Sequence, residues 1–262
     1  MKSILRRNLL FILIFAIITN FCFSSPYNLI QDTVLLAENV SVNSKFISES
    51  NVAYPKLLQD QKDKSLSYVE KYSKRNRDFL VEVFNTGKNF FPKIANVFEE
   101  HGLPPELKVL IAIESGFKSN AVSKAGAVGY WQMMDEMALD YGLKIGKGSK
   151  KDDRKNLTKS TTAAARFLKD RFNDFGNNIL LTVASYNCGA GNVRKAIRRS
   201  GVDQAGFWDI KKYLPKETGK YVMDFIALNV IFENYEKFTN KEMIFKPQIA
   251  QEIKPMPQVL IN

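Results

Sequence analysis

Cysteine and histidine are nearly absent from this chain of 262 residues. There are two cysteines, Cys22 and Cys188, and a single histidine, His101. Removal of an N-terminal leader near Ser25 would leave Cys188 alone, so no intrachain disulfide could form and stability has to come from packing. One histidine excludes a His-cluster metal site, and the carboxylates show no recognisable ligand spacing, so neither a metal nor an organic cofactor is expected. Zinc-finger spacing, an aromatic RNA-binding motif and a long Lys/Arg block are all missing, which argues against nucleic acid as a partner. No run alternates as a strand, and no internal repeat is visible.

Acidic residues are also in deficit. The 38 Lys and Arg outnumber 27 Asp and Glu, for a formal charge of +11. That balance favours an anionic polymer or surface as partner, although a merely solubilising surface explains it as well. At the N-terminus Lys2, Arg6 and Arg7 precede the apolar run "LLFILIFAIITNFCF", with Ser24 and Ser25 after it. This reads as an export signal over residues 1–25 and implies a periplasmic or cell-envelope location. An uncleaved segment anchoring the chain to the membrane is the alternative, and "TNFC" is a poor lipidation site.

Residues 26–65 are polar, with a short amphipathic piece near "NVAYPKLLQD" at 51–60, and read as a linker or loosely packed arm. From residue 66 to 240 the pattern is helical, and 241–262, with three prolines, reads as an extended tail. Phe79, Leu80, Val83 and Phe84 share a helical face, as do Phe90, Ile94, Val97 and Phe98. Gly102 fits a helix end and Pro104-Pro105 the start of "PELKVLIAIES". Further helices are expected at about 132–141, 159–173, 178–187, 192–199 and 217–237.

On the helix ending at Ser115, Leu107, Leu110, Ile111 and Glu114 follow i, i+3, i+4, i+7, so the carboxylate lies on the apolar face. Burial and the negative end of the helix dipole both disfavour its charged form. A carboxyl that keeps its proton near neutral pH is suited to general-acid work on a leaving-group oxygen. A structural ion pair or cap would equally account for Glu114 taken alone.

Three motifs in order sharpen the reading: "ESGF" at 114–117, "AGAVGYWQ" at 125–132 and "ASYNCGAGNV" at 184–193. Together they resemble the lytic transglycosylases of mainly α, lysozyme-like (goose-type lysozyme) fold, over about residues 75–235. "GLPPELKVLIAIESGFKSNAVSKAGAVGYWQMM" is most similar to the membrane-bound lytic murein transglycosylase D type. The resemblance implies peptidoglycan glycan strands as substrate, with envelope proteins as recruiting partners. It implies that Glu114 protonates the bond between N-acetylmuramic acid and N-acetylglucosamine, then acts as base while the muramic 6-hydroxyl closes a 1,6-anhydro ring. A single carboxylate then suffices where ordinary glycosidases pair two; Asp135, Glu136, Asp140, Asp152 and Asp153 remain candidates for a second.

The same resemblance implies substrate-binding or site-shaping roles for Ser115, Tyr130, Trp131, Gln132, Tyr186, Asn187, Glu217 and Tyr221, the last two in "KETGKYV" at 216–222. Tyr186 is expected to reach the Glu114 carboxyl, and Tyr130 and Trp131 to stack on sugar faces or pack in the core. Asn192 is expected to cap the helix after Gly189 and Gly191. Two departures stand out: Cys188 where alanine or serine is usual, and Asn156 in "DDRKNL" where an aspartate would be expected to brace the loop. No wall-binding repeat is legible in residues 241–262. The competing readings are a non-catalytic glycan-binding scaffold, a water-using muramidase on the same fold, and a Cys188–His101 peptidase pair.

Overall fold

The computed structural model describes residues 47–146, 151–246 and 248–249. The leader at 1–25, most of the 26–65 arm and the end of the tail lie outside them. Ile47–Ser48 and Gln248–Ile249 form a small antiparallel pair in one unit; residues 49–247 form the other.

The larger unit is built from α1 (Lys62–Arg75), α2 (Arg77–Gly87), α3 (Phe91–Glu100), α4 (Leu110–Ser115), α5 (Asp135–Asp140), α6 (Leu157–Asp174), α7 (Ile179–Cys188), α8 (Ala190–Ser200), α9 (Phe207–Ile210), α10 (Lys216–Glu233) and α11 (Tyr235–Thr239). Its centre is α10, whose residues from Thr218 to Ile231 are buried apart from Lys220. A helix with apolar residues all round can only be a core helix, and α10 packs against α1, α7 and α4. The helix expected at 217–237 breaks at Asn234, because that side chain turns inward to other work. Its amide accepts from Ala53 N (2.9 Å) and donates to Ala53 O and Val230 O (2.7 Å each).

That clamp corrects the N-terminal boundary. Val52, Tyr54 and Leu58 are buried, and the Tyr54 hydroxyl bonds Ser65 at 3.0 Å. The packed body therefore starts near Glu49 rather than at 66. Apolar residues spaced too irregularly for a helical period are held there by side-chain hydrogen bonds from 181 residues away. At the other end Asn51 ties Glu242 and Ile244, so the body also runs past 240.

Leu80, Val83, Ile94 and Phe98 are core residues, whereas Phe79 is exposed. Asn156 and Asn178 cap α6 and α7, accepting from Lys159 N (3.0 Å) and Leu181 N (3.1 Å). Asn192 does not cap α8: the helix starts at Ala190 after Gly189, and the Asn192 amide donates back to Cys188 O at 2.8 Å.

Candidate active site

The chain enters the site through a tight turn. Pro105–Val109 is a 3-10 segment that runs into the two-turn α4, and Leu107, Leu110 and Ile111 are fully buried. The i, i+7 relation from Leu107 therefore crosses two helix types, yet Glu114 still arrives beside the buried face. Gly116 (φ 56°) and Phe117 (φ 66°) then both adopt left-handed backbone. For Phe117 that conformation costs about 1 kcal/mol, offset by packing against Phe90 and Phe91. Immediately before this reversal stands Glu114.

The Tyr221 hydroxyl, from the buried face of α10, donates to Glu114 Oε1 at 2.5 Å. Burial pushes the Glu114 carboxyl up to about 7, and the Tyr221 hydrogen bond, which lowers it, is the smaller effect. No neighbouring carboxylate is among the influences on it. Burial first, and the nearby Glu114 charge second, hold the Tyr186 and Tyr221 hydroxyls well above their ordinary range, so both stay protonated donors.

The two tyrosines exchange the roles expected of them. Tyr186 lies close enough to feel the Glu114 charge, but its hydroxyl donates to Trp131 O at 2.7 Å. Ser115 likewise faces away from the carboxyl: its Oγ donates to Tyr130 O at 2.8 Å. Together these two bonds pin the backbone of 130–131 over the end of α4. Trp131 itself is fully buried against Phe98, with its indole N–H donating to Thr161 at 3.0 Å. Of the two roles open to it, stacking on a sugar or packing in the core, Trp131 takes the second and offers no face to a sugar. Tyr130 is half-buried and packs against Phe90.

Gln132 closes a turn at φ 47°. Its amide N–H₂ donates to Ala121 O (3.1 Å) and Gly129 O (2.9 Å), which points Gln132 as the brace of its own loop. The amide oxygen has no protein partner among the described residues. Gly129 (φ 83°) is required here, since a Cβ would sit 2.1 Å from Arg154 O.

Arg154 was not evident from sequence as a site-shaping residue. It is buried, bonds Asp152 (2.7 Å) and Asp135 (2.5 Å), and donates to Met133 O at 3.2 Å. Asp153 in turn pairs with Lys159 at 2.7 Å and accepts from Lys144 N. The loop expected to lose a brace through Asn156 is thus braced by its own two aspartates. The cation flanked by acids in "DDRK" was the only signal, and nothing local identified Asp135 as the third partner. Of the candidate second carboxylates, Asp135, Asp152 and Asp153 are occupied in these pairs, and Glu136 and Asp140 lie exposed on α5.

Asn187 Oδ1 accepts from the Thr218 hydroxyl at 2.7 Å, joining α7 to α10 beside Tyr221. Glu217 is exposed in the first turn of α10 and reaches no partner among the described residues. Burial raises the Cys188 thiol above its usual range, and His101 bonds Val97 O at 2.8 Å, so the two do not form a nucleophile–base pair. Among the described residues no group of three or more His, Cys, Asp or Glu is placed to hold a metal ion.

Residues 94–206 match the family described as Transglycosylase SLT domain. Over 183 residues the chain is 33% identical to the membrane-bound lytic murein transglycosylase D of Escherichia coli strain K12, an alignment covering 69% of this chain and 38% of the relative. The chain thus spans under two fifths of that relative's length. Among solved structures, an inactive mutant of the lytic transglycosylase Slt from Pseudomonas aeruginosa superposes with a TM-score of 0.47 at 17% identity, covering 83% of this chain and 43% of that one. The 70 kDa soluble lytic transglycosylase of Escherichia coli gives 0.46 at 15% identity, covering 81% and 42%.

Proposed function

We propose that the chain is a lytic transglycosylase, a reading supported by its match to the Transglycosylase SLT domain at residues 94–206, and that it cleaves peptidoglycan strands non-hydrolytically on a lysozyme-like helical fold. The bond cut is the β-1,4 link from N-acetylmuramic acid to N-acetylglucosamine. The observation that carries this reading is the Glu114 carboxyl held by the Tyr221 hydroxyl at 2.5 Å, with burial pushing it up to about 7 and no second carboxylate acting on it.

The chemistry follows from that geometry. Glu114 Oε1 is engaged by Tyr221, so the proton rides on Oε2 and is given to the leaving glycosidic oxygen. Once it has left, the carboxylate gains from the Tyr221 hydrogen bond that disfavoured its protonation. The same carboxylate then takes the proton of the muramic 6-hydroxyl as that oxygen bonds to the anomeric carbon. The enzyme is returned protonated, no water is consumed, and a 1,6-anhydro end results. A retaining glycosidase would need a second carboxylate about 5 Å away as nucleophile; the carboxylates of 135, 152 and 153 are tied into ion pairs. In this reading Tyr130, Gln132 through its amide oxygen, which has no protein partner among the described residues, and Asn187 serve substrate positioning, and Glu217, exposed in the first turn of α10, borders the bound strand.

We place this activity in the cell envelope, on the strength of the leader-like residues 1–25 and the basic balance of the chain. No helix among the described residues is long and apolar enough to cross a membrane. Mass spectrometry of soluble products from purified sacculi tests the proposal: anhydro-muropeptides are expected from the wild type and none from Glu114→Gln. Reducing ends in place of anhydro ends would make it a muramidase, and absence of any product from folded protein would leave a glycan-binding scaffold.

A further inference from the structure

A groove of about 800 Å³ lies between α8, α9 and the Lys216–Met223 side of α10. Lys216, Gly219, Lys220 and Met223 line it from α10 at i, i+3, i+4, i+7. At 100° per residue, Tyr221 points about 150° away from that stripe, so this groove is separate from the carboxyl site.

Its lining is cationic and aromatic together. Four lysines, 211, 212, 216 and 220, face one aspartate, Asp209, whose carboxylate is already used by Gly206 N at 2.9 Å. Lys220 pairs with Asp224, and the other three lysines have no carboxylate partner among the described residues. Lys211 Nζ stands 5.0 Å from the Trp208 ring centroid and Lys212 Nζ 4.9 Å from that of Tyr213. The Trp208 N–H is spent inward on Gln61 at 2.6 Å, which leaves the half-buried indole as an apolar wall. Leu214 and Met223 add apolar floor.

We infer that this groove is a second binding site for a short carboxylate-bearing peptide, the kind of acidic substituent carried by the glycan strand. The inference rests on the proposed activity for the identity of the strand, and on the groove for the rest. Two features favour a peptide over a phosphate. The cations are lysines, which act as point charges, whereas planar guanidinium forks are the better match for phosphate. The apolar walls suit small aliphatic side chains between carboxylates, as in peptide recognition generally. Held on the reverse side of α10, the peptide would keep the strand near Glu114 between cuts without entering the chemistry.

The test begins with the full chain carrying Glu114→Gln, so that no substrate is consumed. It is titrated with a synthetic Ala/Glu pentapeptide, its fully amidated analogue, inorganic phosphate, and vesicles of anionic phosphatidylglycerol, reading tryptophan fluorescence. The chain has two tryptophans, and Trp131 is buried, so Trp208 reports the groove. The expected result is a saturable change with the acidic peptide only, weakened roughly five- to tenfold by the exposed-lysine double variant Lys212→Glu/Lys216→Glu and by added salt. In the otherwise wild-type chain the double variant is expected to raise KM on peptide-bearing glycan oligomers by a similar factor with kcat unchanged, and to leave peptide-stripped oligomers unaffected. Equal response to the amidated peptide, binding of phosphate or vesicles instead, or a KM shift on stripped glycan alike would overturn the inference. Peptide binding in a chain that releases no product from sacculi would retire the catalytic reading and leave the groove standing.

Discussion

Tyr221 and Glu114, 107 residues apart in sequence, meet through a 2.5 Å hydrogen bond between the central helix and the end of α4. The pair sets two opposing pulls on one carboxyl. Burial holds the proton on, and the tyrosine makes its loss tolerable at the moment of transfer.

A raised carboxyl pKa is a stability cost with a definite sign. Between pH 4.5 and about 7 the folded chain holds a proton at Glu114 that the unfolded chain has released, so stability falls as pH rises through this window and is lowest above it. The cost at pH 8 is about 3 kcal/mol. Glu114→Gln keeps an acceptor for Tyr221 and removes the cost. Thermal unfolding should show the variant more stable than wild type at pH 8, with the gap closing near pH 4, while anhydro product falls by at least about a thousandfold. Equal pH dependence in the two proteins would mean the carboxyl is solvated.

Replacing Tyr221 by Phe separates the two pulls. The hydrogen bond that lowers the Glu114 pKa is lost, so the alkaline limb of the pH–rate profile, centred near 7 in the wild type, should move upward. The rate on the plateau should nonetheless fall, by about ten- to a hundredfold, because the carboxylate formed during cleavage loses its donor. Tyr186→Phe acts through the 130–131 backbone instead, and should lower the rate without moving the limb as far. A pH–rate profile for each variant distinguishes them.

The position of Glu114 was legible from local spacing, because burial of a helix face depends on residues within two turns. Its partner was not, since Tyr186 closes one apolar helical stretch and Tyr221 opens another, and only tertiary packing decides which hydroxyl arrives. Trp131 and Val52 both owe their burial to partners distant in sequence. Spacing leaves the indole open to a sugar or to the core, and Thr161, 30 residues on, fixes it in the core; Val52 sits in a mostly polar stretch and is drawn inward with the backbone of Ala53 that Asn234 clamps. Arg154 shows the same limit for charge, where adjacency announced Asp152 and nothing announced Asp135.

Trp131 should behave as a core residue. Trp131→Ala removes a fully buried indole and leaves the Thr161 hydroxyl unpaired, for a loss of about 3–5 kcal/mol. Trp131→Phe retains most of the volume and should cost about 1–2 kcal/mol with little change in KM. Denaturant unfolding alongside KM on glycan oligomers checks this, and a large KM increase in a stable Trp131→Phe protein would restore a sugar-contacting role.

The loop that carries Gln132 hangs on Arg154. Removing the guanidinium by Arg154→Met leaves the Asp152 carboxylate buried without its cation, since that side chain is 6% exposed, and breaking a buried pair in this way costs about 3–5 kcal/mol. It also frees Met133 O and Asp135, so the turn at 129–132 loses the anchor that sets the height of Gln132. Gly129→Ala attacks the same contact from the other side, forcing a Cβ against Arg154 O at a backbone angle that alanine resists. Both variants should lower kcat as well as stability, while Lys159→Met, which loses only the half-exposed pair with Asp153, should cost under about 1 kcal/mol and leave kcat intact. Should Arg154→Met unfold at a lower denaturant concentration yet turn over at the wild-type rate where it is folded, the brace supports the fold alone and Gln132 is held by its own two backbone contacts.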